Sequence, residues 1–138
     1  AAFANSILAY TLFYDANFSD NKNEVDEKMD RARILMRERL LSGVTPEQVA
    51  SMLNMSYSWF RKTFKAYTHV SPAHYITSLK LQEAKSFLLN SSLSVKEIAY
   101  RLHYENAASF SAIFKKYLGM TPSEYRRACI VSLLSDEK

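Results

Sequence analysis

Residues 64–75 read FKAYTHVSPAHY, and residues 114–125, fifty positions later, read FKKYLGMTPSEY. Phe64 and Phe114, Lys65 and Lys115, Tyr67 and Tyr117, Pro72 and Pro122, and Tyr75 and Tyr125 pair at this offset, and Val70-Ser71 is answered by Met120-Thr121. The correspondence extends upstream. Thr45-Pro46-Glu47-Gln48-Val49-Ala50 aligns with Ser94-Val95-Lys96-Glu97-Ile98-Ala99 at an offset of 49; one residue then enters the second copy, so that Phe60 meets Phe110. Two copies of about thirty residues imply two copies of one supersecondary unit.

Each copy carries its own helix signals. Thr45 with Gln48, and Ser94 with Glu97, have capping-box spacing, in which hydroxyl and N3 side chain each satisfy a free backbone N–H. Pro46 suits the first helical position, where no donor is needed. Val49, Ala50 and Leu53, matched by Ile98, Ala99 and Leu102, give a short apolar stripe. Asn54 and His103 stand at the ends of these short helices, and both residue types tolerate left-handed backbone better than most. Ser56 and Asn106 are the expected caps of a second helix in each copy. Trp59, Phe60, Thr63 and Phe64 form the expected core stripe of the first, and Phe110, Ile113, Phe114 and Tyr117 that of the second. Short helix, tight turn, helix is a helix-turn-helix. Ser71-Pro72 and Thr121-Pro122 then start further helices, Thr121 with Glu124 making another capping box, and Tyr75 and Tyr125 are expected to pack back on the helix before.

The fold class is therefore all-α: two helix-turn-helix subdomains joined by a long linker helix, about seven helices in all, preceded by an N-terminal apolar helix. Residues 26–70 form the first subdomain, with an opening helix over Val25–Leu41 on Met29, Ala32, Met36 and Leu40, stopped at Gly43. Residues 71–90 form the connecting helix, with Tyr75, Ile76, Leu79, Ala84, Phe87 and Leu88 apolar, and 91–128 the second subdomain. The polar stretch at 18–25 reads as a linker, residues 129–138 as a C-terminal tail, and residues 1–17 as the end of an upstream effector or dimerisation domain. A chain that starts without Met inside an apolar run reads as a fragment of something longer.

Composition agrees. With 48% apolar and 23% charged residues the chain is globular rather than disordered, and two glycines with three prolines favour helices over a turn-rich β fold. A single cysteine, Cys129, excludes an internal disulfide and a cysteine-based metal cage; its apolar surroundings predict packing rather than reactivity. His69, His74 and His103 have no metal-ligand spacing and read as surface or turn histidines. Residues 1–14 are too short to span a bilayer and lack a basic lead, so no membrane partner is expected and cytoplasmic residence, with the nucleoid, is the natural reading. No Gly-rich phosphate loop, nucleophile–base pair or protected carboxylate pair points to an enzyme or a cofactor. Charge is the informative feature. Residues 45–127 carry 11 basic against 5 acidic side chains, whereas residues 1–44 carry 6 against 7. The positive charge lies on the repeated part of the chain, which suits a polyanion surface or, more plainly, a solvated basic face.

The stretch LSVKEIAYRLHYENAASFSAIFKKYLGMTPSEYRR resembles the DNA-binding region of AraC/XylS-type transcription regulators, and the likeness covers about Asp30 to Arg127. It is carried by Ile98-Ala99, Phe110, Phe114-Lys115 and Gly119-x-Thr-Pro-x-x-Tyr125-Arg126. The resemblance implies double-stranded promoter DNA as partner, two recognition helices in successive major grooves, RNA polymerase as a further partner, and a homodimer formed through an N-terminal region. Activation is the expected mode, with repression left open. A connector over 72–89, at about 1.5 Å per residue, is of the right order for grooves about 34 Å apart.

Carried onto this chain, the base-facing positions are Ser58, Arg61 and Lys62 in the first unit, with Tyr57 at the rim, and Ala107, Ala108, Ser111 and Ala112 in the second. Arg61 can take a guanine edge bidentately; alanines offer only contact with thymine methyls. The expectation is a division of labour, the first unit reading sequence and the second clamping the backbone through Asn106, Lys115 and Lys116. Lys65, Lys96, Arg101 and Lys80 are further phosphate candidates. The plainer alternatives are that Arg61 and Lys62 touch only phosphates and that Lys115-Lys116 serve solubility. Trp59 is expected to pack in the core rather than stack on a base. A reading from a different class remains: a helix-turn-helix protein–protein interaction module whose basic face meets an acidic partner.

Overall fold

A computed structural model describes residues 16–136 of the chain, with side-chain surroundings from Glu24 onward. Within them are seven α-helices and one 3₁₀ turn: α1 (Ala16–Glu38), the 3₁₀ turn Leu40–Ser42, α2 (Pro46–Met52), α3 (Tyr57–Thr68), α4 (Pro72–Asn90), α5 (Val95–Arg101), α6 (Ala107–Leu118) and α7 (Pro122–Asp136). The apolar helix expected before them lies outside the described residues.

Local signals fix most boundaries. Both capping boxes form: Gln48 N donates to Thr45 Oγ1 at 3.2 Å and Thr45 N to Gln48 Oε1 at 3.1 Å, and the Ser94–Glu97 pair repeats this at 3.1 and 3.3 Å. Ser56, Ser71 and Asn106 cap α3, α4 and α6. Asn54 and His103 do turn the chain in left-handed backbone, at φ 57° and 61°. The two long outer helices end the same way, at His69 (φ 68°) and Gly119 (φ 78°). In the first unit, Gly43 (φ 80°) closes the 3₁₀ turn.

The units have separate cores. One gathers Met29, Ala32, Met36, Leu40, Val49, Phe60 and Phe64 with Ile76 and Leu79 from the first half of α4. The other gathers Leu81, Ala84 and Leu88 from its second half with Ile98, Ala99, Leu102, Phe110 and Phe114. The repeated tyrosines pack back as expected: Tyr75 meets Phe64 edge-on at 5.4 Å between centroids, and Tyr125 meets Phe114 at 5.6 Å. Such edge-to-face contacts add about 0.5–1.5 kcal/mol beyond the area they bury. In the first unit Tyr67 adds a hydroxyl bond to Asp30 Oδ1 at 3.0 Å, tying α3 to α1; partial burial and that acceptor raise its pKa above the ordinary tyrosine value.

Arg126 has a structural role. Its Nε donates to Leu88 O at 3.0 Å, and its Nη2 to Phe87 O and Ser91 O at 3.4 and 3.3 Å. These carbonyls lie at the end of α4, where a helix leaves acceptors without intrahelical partners, and a cation there also meets the negative end of the helix dipole.

Four expectations need correction. Residues 18–25 are not a linker but part of α1. Polar composition suggested a loop, yet no Gly or Pro interrupts Ala16–Glu38, and Glu24–Lys28 and Asp30–Arg33 pair along the helix surface. The same helix ends at Glu38 rather than Leu41, the 3₁₀ turn taking over from Leu40. Residues 129–136 are not a tail but the second half of α7, which the Thr121–Glu124 capping box starts and no Gly or Pro stops. Trp59 and Tyr117 lie outside the core, 44% and 43% exposed, because Phe60 with Phe64 and Phe110 with Phe114 already fill the space under their helices.

Two outcomes are expected. Phe114→Ala should cost about 3–5 kcal/mol and unfold the second unit first; far-UV ellipticity should then fall before the fluorescence of Trp59, the only tryptophan, reports on the first unit. Arg126→Ala should lower stability to urea by about 2 kcal/mol, the worth of charge-assisted bonds, since Phe87 O keeps Ser91 N and Oγ as donors while Leu88 O and Ser91 O lose the guanidinium. Arg126→Lys should recover only part of it, because one ammonium cannot span three acceptors.

Candidate nucleic-acid interface

The outer faces of α3 and α6 follow from their anchored inner faces. At about 100° per residue, Phe60 and Phe64 turn Ser58 and Lys62 to the opposite side of α3, with Arg61 and Lys65 on one flank and Trp59 on the other. Ser58, Trp59, Arg61, Lys62 and Lys65 are all exposed, and Tyr57 is half-buried. In α6 the aligned positions are Ala108, Ala112 and Lys115, with Ser111 on one flank. Ala108, Ala112, Lys115 and Lys116 are exposed, while Ala107 and Ser111 are half-buried. The structure therefore brings the expected positions together helix by helix. It also pairs them by chemistry: Ser58 with Ala108, Arg61 with Ser111, Lys62 with Ala112. Where the first unit carries donors, the second carries short side chains.

Electrostatically, these faces are uncompensated. Among the described residues the ion pairs, Glu24–Lys28 and Asp30–Arg33, both lie on α1, and none engages Arg61, Lys62, Lys65, Lys115 or Lys116. Lys116 lies 5.7 Å from the Tyr117 ring centroid, a loose contact that leaves its ammonium in solvent. Asn106 is partly committed, since its Oδ1 accepts from Ser109 N at 2.8 Å as the cap of α6; its amide donors have no acceptor among the described residues. Lys96 is exposed in the first turn of α5 and Arg101 at its last residue, with the guanidinium 5.9 Å from the Phe87 ring.

Lys80 stands apart from the other candidates. It is half-buried on α4 with its ammonium 4.8 Å from the Tyr104 ring centroid, and burial pushes it below the usual lysine range. The Tyr104 hydroxyl is buried with no partner among the described residues, and burial raises its pKa above the ordinary tyrosine value. Lys80 is thus part of the packing of α4 on the second unit. Three exposed aromatic residues lie outside the expected interface set: Trp59, Tyr117, and Tyr100, which is 82% exposed on α5. For Trp59 the signal was its helical position on the flank opposite Arg61; for Tyr100 the apolar periodicity of α5, which passes through Ile98, Ala99 and Leu102, leaves it on the far side.

Among the described residues no group of His, Cys, Asp and Glu could hold a metal ion, and no helix is long and apolar enough to cross a membrane.

Comparison with known proteins bears on these faces. The chain is 34% identical over 127 residues to the raffinose operon transcriptional regulatory protein RafR of Pediococcus pentosaceus, a match covering 88% of this chain and 46% of that one. It is 29% identical over 121 residues to the lactose operon transcription activator of Staphylococcus xylosus, covering 86% and 43%. The chain thus spans less than half the length of these curated relatives. Among solved structures it resembles the C-terminal domain of AraT, a response regulator from Geobacillus stearothermophilus, with TM-score 0.69 and 33% identity over 73% of this chain and 84% of that one. It also resembles the DNA-binding domain of the global transcriptional factor AdpA in complex with a target DNA, with TM-score 0.68 and 25% identity over 72% and 90%. A family model of a helix-turn-helix domain matches residues 49–128, from α2 through α7. That match runs through both units and the helix between them rather than through one repeat, and the chain belongs to the AraC/XylS family of transcription regulators.

Proposed function

We propose that this chain binds a specific duplex site of about two turns in promoter DNA, with α3 and α6 entering successive major grooves. The observation that carries this reading is the pair of outer helix faces: each is held by two fully buried phenylalanines on its inner side, and its outer side carries cations without acidic partners among the described residues. The likeness to a DNA-binding domain solved on its target DNA supports it. Arg61 and Ser58 read base edges, Lys62 reads or clamps beside them, and Tyr57 packs at the rim. Ala107, Ala108, Ser111 and Ala112 offer thymine methyls and one hydroxyl partner, so the second unit discriminates weakly and acts mainly as a clamp. Lys65, Lys96, Arg101, Lys115, Lys116 and the free amide of Asn106 hold phosphates. The connector α4, 19 residues long, spans about 28 Å at 1.5 Å per residue, against about 34 Å between successive grooves. The bound protein acts on transcription as an activator that meets RNA polymerase through exposed residues, with dimerisation supplied by a region outside this chain.

Two measurements test this. Site selection followed by Arg61→Ala should cost about 1–3 kcal/mol at the selected site and relax preference at one position, the loss expected for a bidentate base contact; unchanged preference would remove Arg61 from base reading. Titration against salt should give a steep slope that falls by about 0.9 for each of Lys65→Ala, Lys115→Ala and Lys116→Ala, the counterion release of one phosphate contact. A slope near zero, or equal binding to all duplexes in gel-shift competition, would overturn the DNA reading in favour of a protein partner.

A further inference from the structure

The two copies of the repeat use the same frame positions differently. At the turn of the first unit, the Asn54 side chain makes no hydrogen bond among the described residues, whereas His103, in the same left-handed conformation, reaches 62 positions back to Leu41 in the first unit. Its Nε2 donates to Leu41 O at 2.7 Å. That carbonyl is open for it: Val44 N is bonded to Arg39 O and Thr45 N to Gln48 Oε1, so neither following amide turns back to Leu41. The imidazole lies face-on over Gly43, where a Cβ would sit 2.9 Å from Nδ1 and 3.1 Å from both Cε1 and Cγ. Glycine is thus required twice at this point, by its positive φ and by the approach of the ring.

A second pair shows the same contrast. Tyr67 spends its hydroxyl inside the first unit, on Asp30. Tyr117, its counterpart, meets His74 in the first turn of α4, Oη to Nε2 at 3.1 Å with the rings edge-on at 5.6 Å. That end of α4 belongs to the first core, through Ile76 and Leu79. So two residues of the second unit reach toward the first, while their first-unit counterparts stay at home. Since the two cores share no buried residue, α4 alone would leave the second unit free to swing by bending or twisting of one helix.

We propose that His103 and Tyr117 form a two-point latch that fixes the rotation of the second unit relative to the first, and so sets the half-site spacing the chain accepts. His103 is the main positioning residue and acts without touching DNA. The spacing role rests on the DNA-binding reading above, whereas the latch does not.

The test uses the whole 138-residue chain with His103→Asn, Tyr117→Phe, and both together. Asn serves at the aligned turn position with φ 57°, so H103N keeps the turn and loses only the reach; Y117F keeps the ring and loses the hydroxyl, and stands alone should H103N fail to fold. Spin labels on the exposed sites Glu47→Cys and Ser123→Cys, in a Cys129→Ser background, report the inter-unit distance without DNA. The wild type should give one narrow distribution and the variants a broadened one. On a panel of duplexes differing only in half-site spacing, one base pair from the optimum should cost the wild type about tenfold, as a mismatched pair does, and the double variant less than about threefold. Uniform weakening at every spacing would mark a merely structural role and overturn the proposal, as would unchanged distances. Absence of wild-type binding to every duplex would overturn the DNA reading and the spacing role with it, while the label distances decide the latch separately.

Discussion

The exposed faces of α3 and α6 depend on how two twelve-residue helices are held from beneath. A helix of that length is marginal alone in water, so α3 and α6 exist as rigid presentation surfaces only because Phe60 with Phe64, and Phe110 with Phe114, are fully buried under them. The following helix completes each clamp by turning a tyrosine ring onto the second phenylalanine. The left-handed residue and proline between them make that return possible: His69 or Gly119 reverses the chain, and Pro72 or Pro122 starts the next helix within three residues. The repeated phrase is the covalent trace of this clamp.

Identical clamping leaves the outer faces free to diverge. Arg61 and Lys62 face Ser111 and Ala112 in the aligned register, so two copies of one frame carry unequal chemistry. Charge is also unequally available. Arg126 is committed to three carbonyls and Lys80 to the ring of Tyr104, so both count toward the basic composition of the repeated region without offering charge to a polyanion. Within the repeated region the exposed cations are Arg61, Lys62 and Lys65 on α3, Lys115 and Lys116 on α6, Lys96 and Arg101 on α5, and Arg127 on α7. The net charge alone overstates the surface and understates its concentration.

The connector poses a separate problem. A single helix sets distance well and rotation poorly, because torsion and bending accumulate along it. Contacts from the second unit back to the first, through His103 and Tyr117, address rotation, and they do so with side chains whose counterparts in the first unit have only local roles.

Much of this was legible in the sequence for a physical reason: helix starts, turns and anchors are short-range events. Capping boxes act within three residues, left-handed positions within one, and the burial of Phe60, Phe64, Phe110 and Phe114 follows from helical periodicity. Hence the helix order and the two units could be read before any coordinates, whereas the outer positions Ser58, Arg61, Lys62, Ala108 and Ala112 came from the family resemblance, and their exposure agrees with it. Local composition misled where it lacked a stop signal, at 18–25 and 129–136, since polar or exposed apolar residues continue a helix unless Gly or Pro ends it. What only the tertiary structure decided is long-range: that Trp59 and Tyr117 stay outside cores already full, that Arg126 and Lys80 are spent on packing, and that His103 lands on a carbonyl 62 positions away. No local pattern encodes those outcomes, because each depends on which surface another segment happens to present at the same point in space.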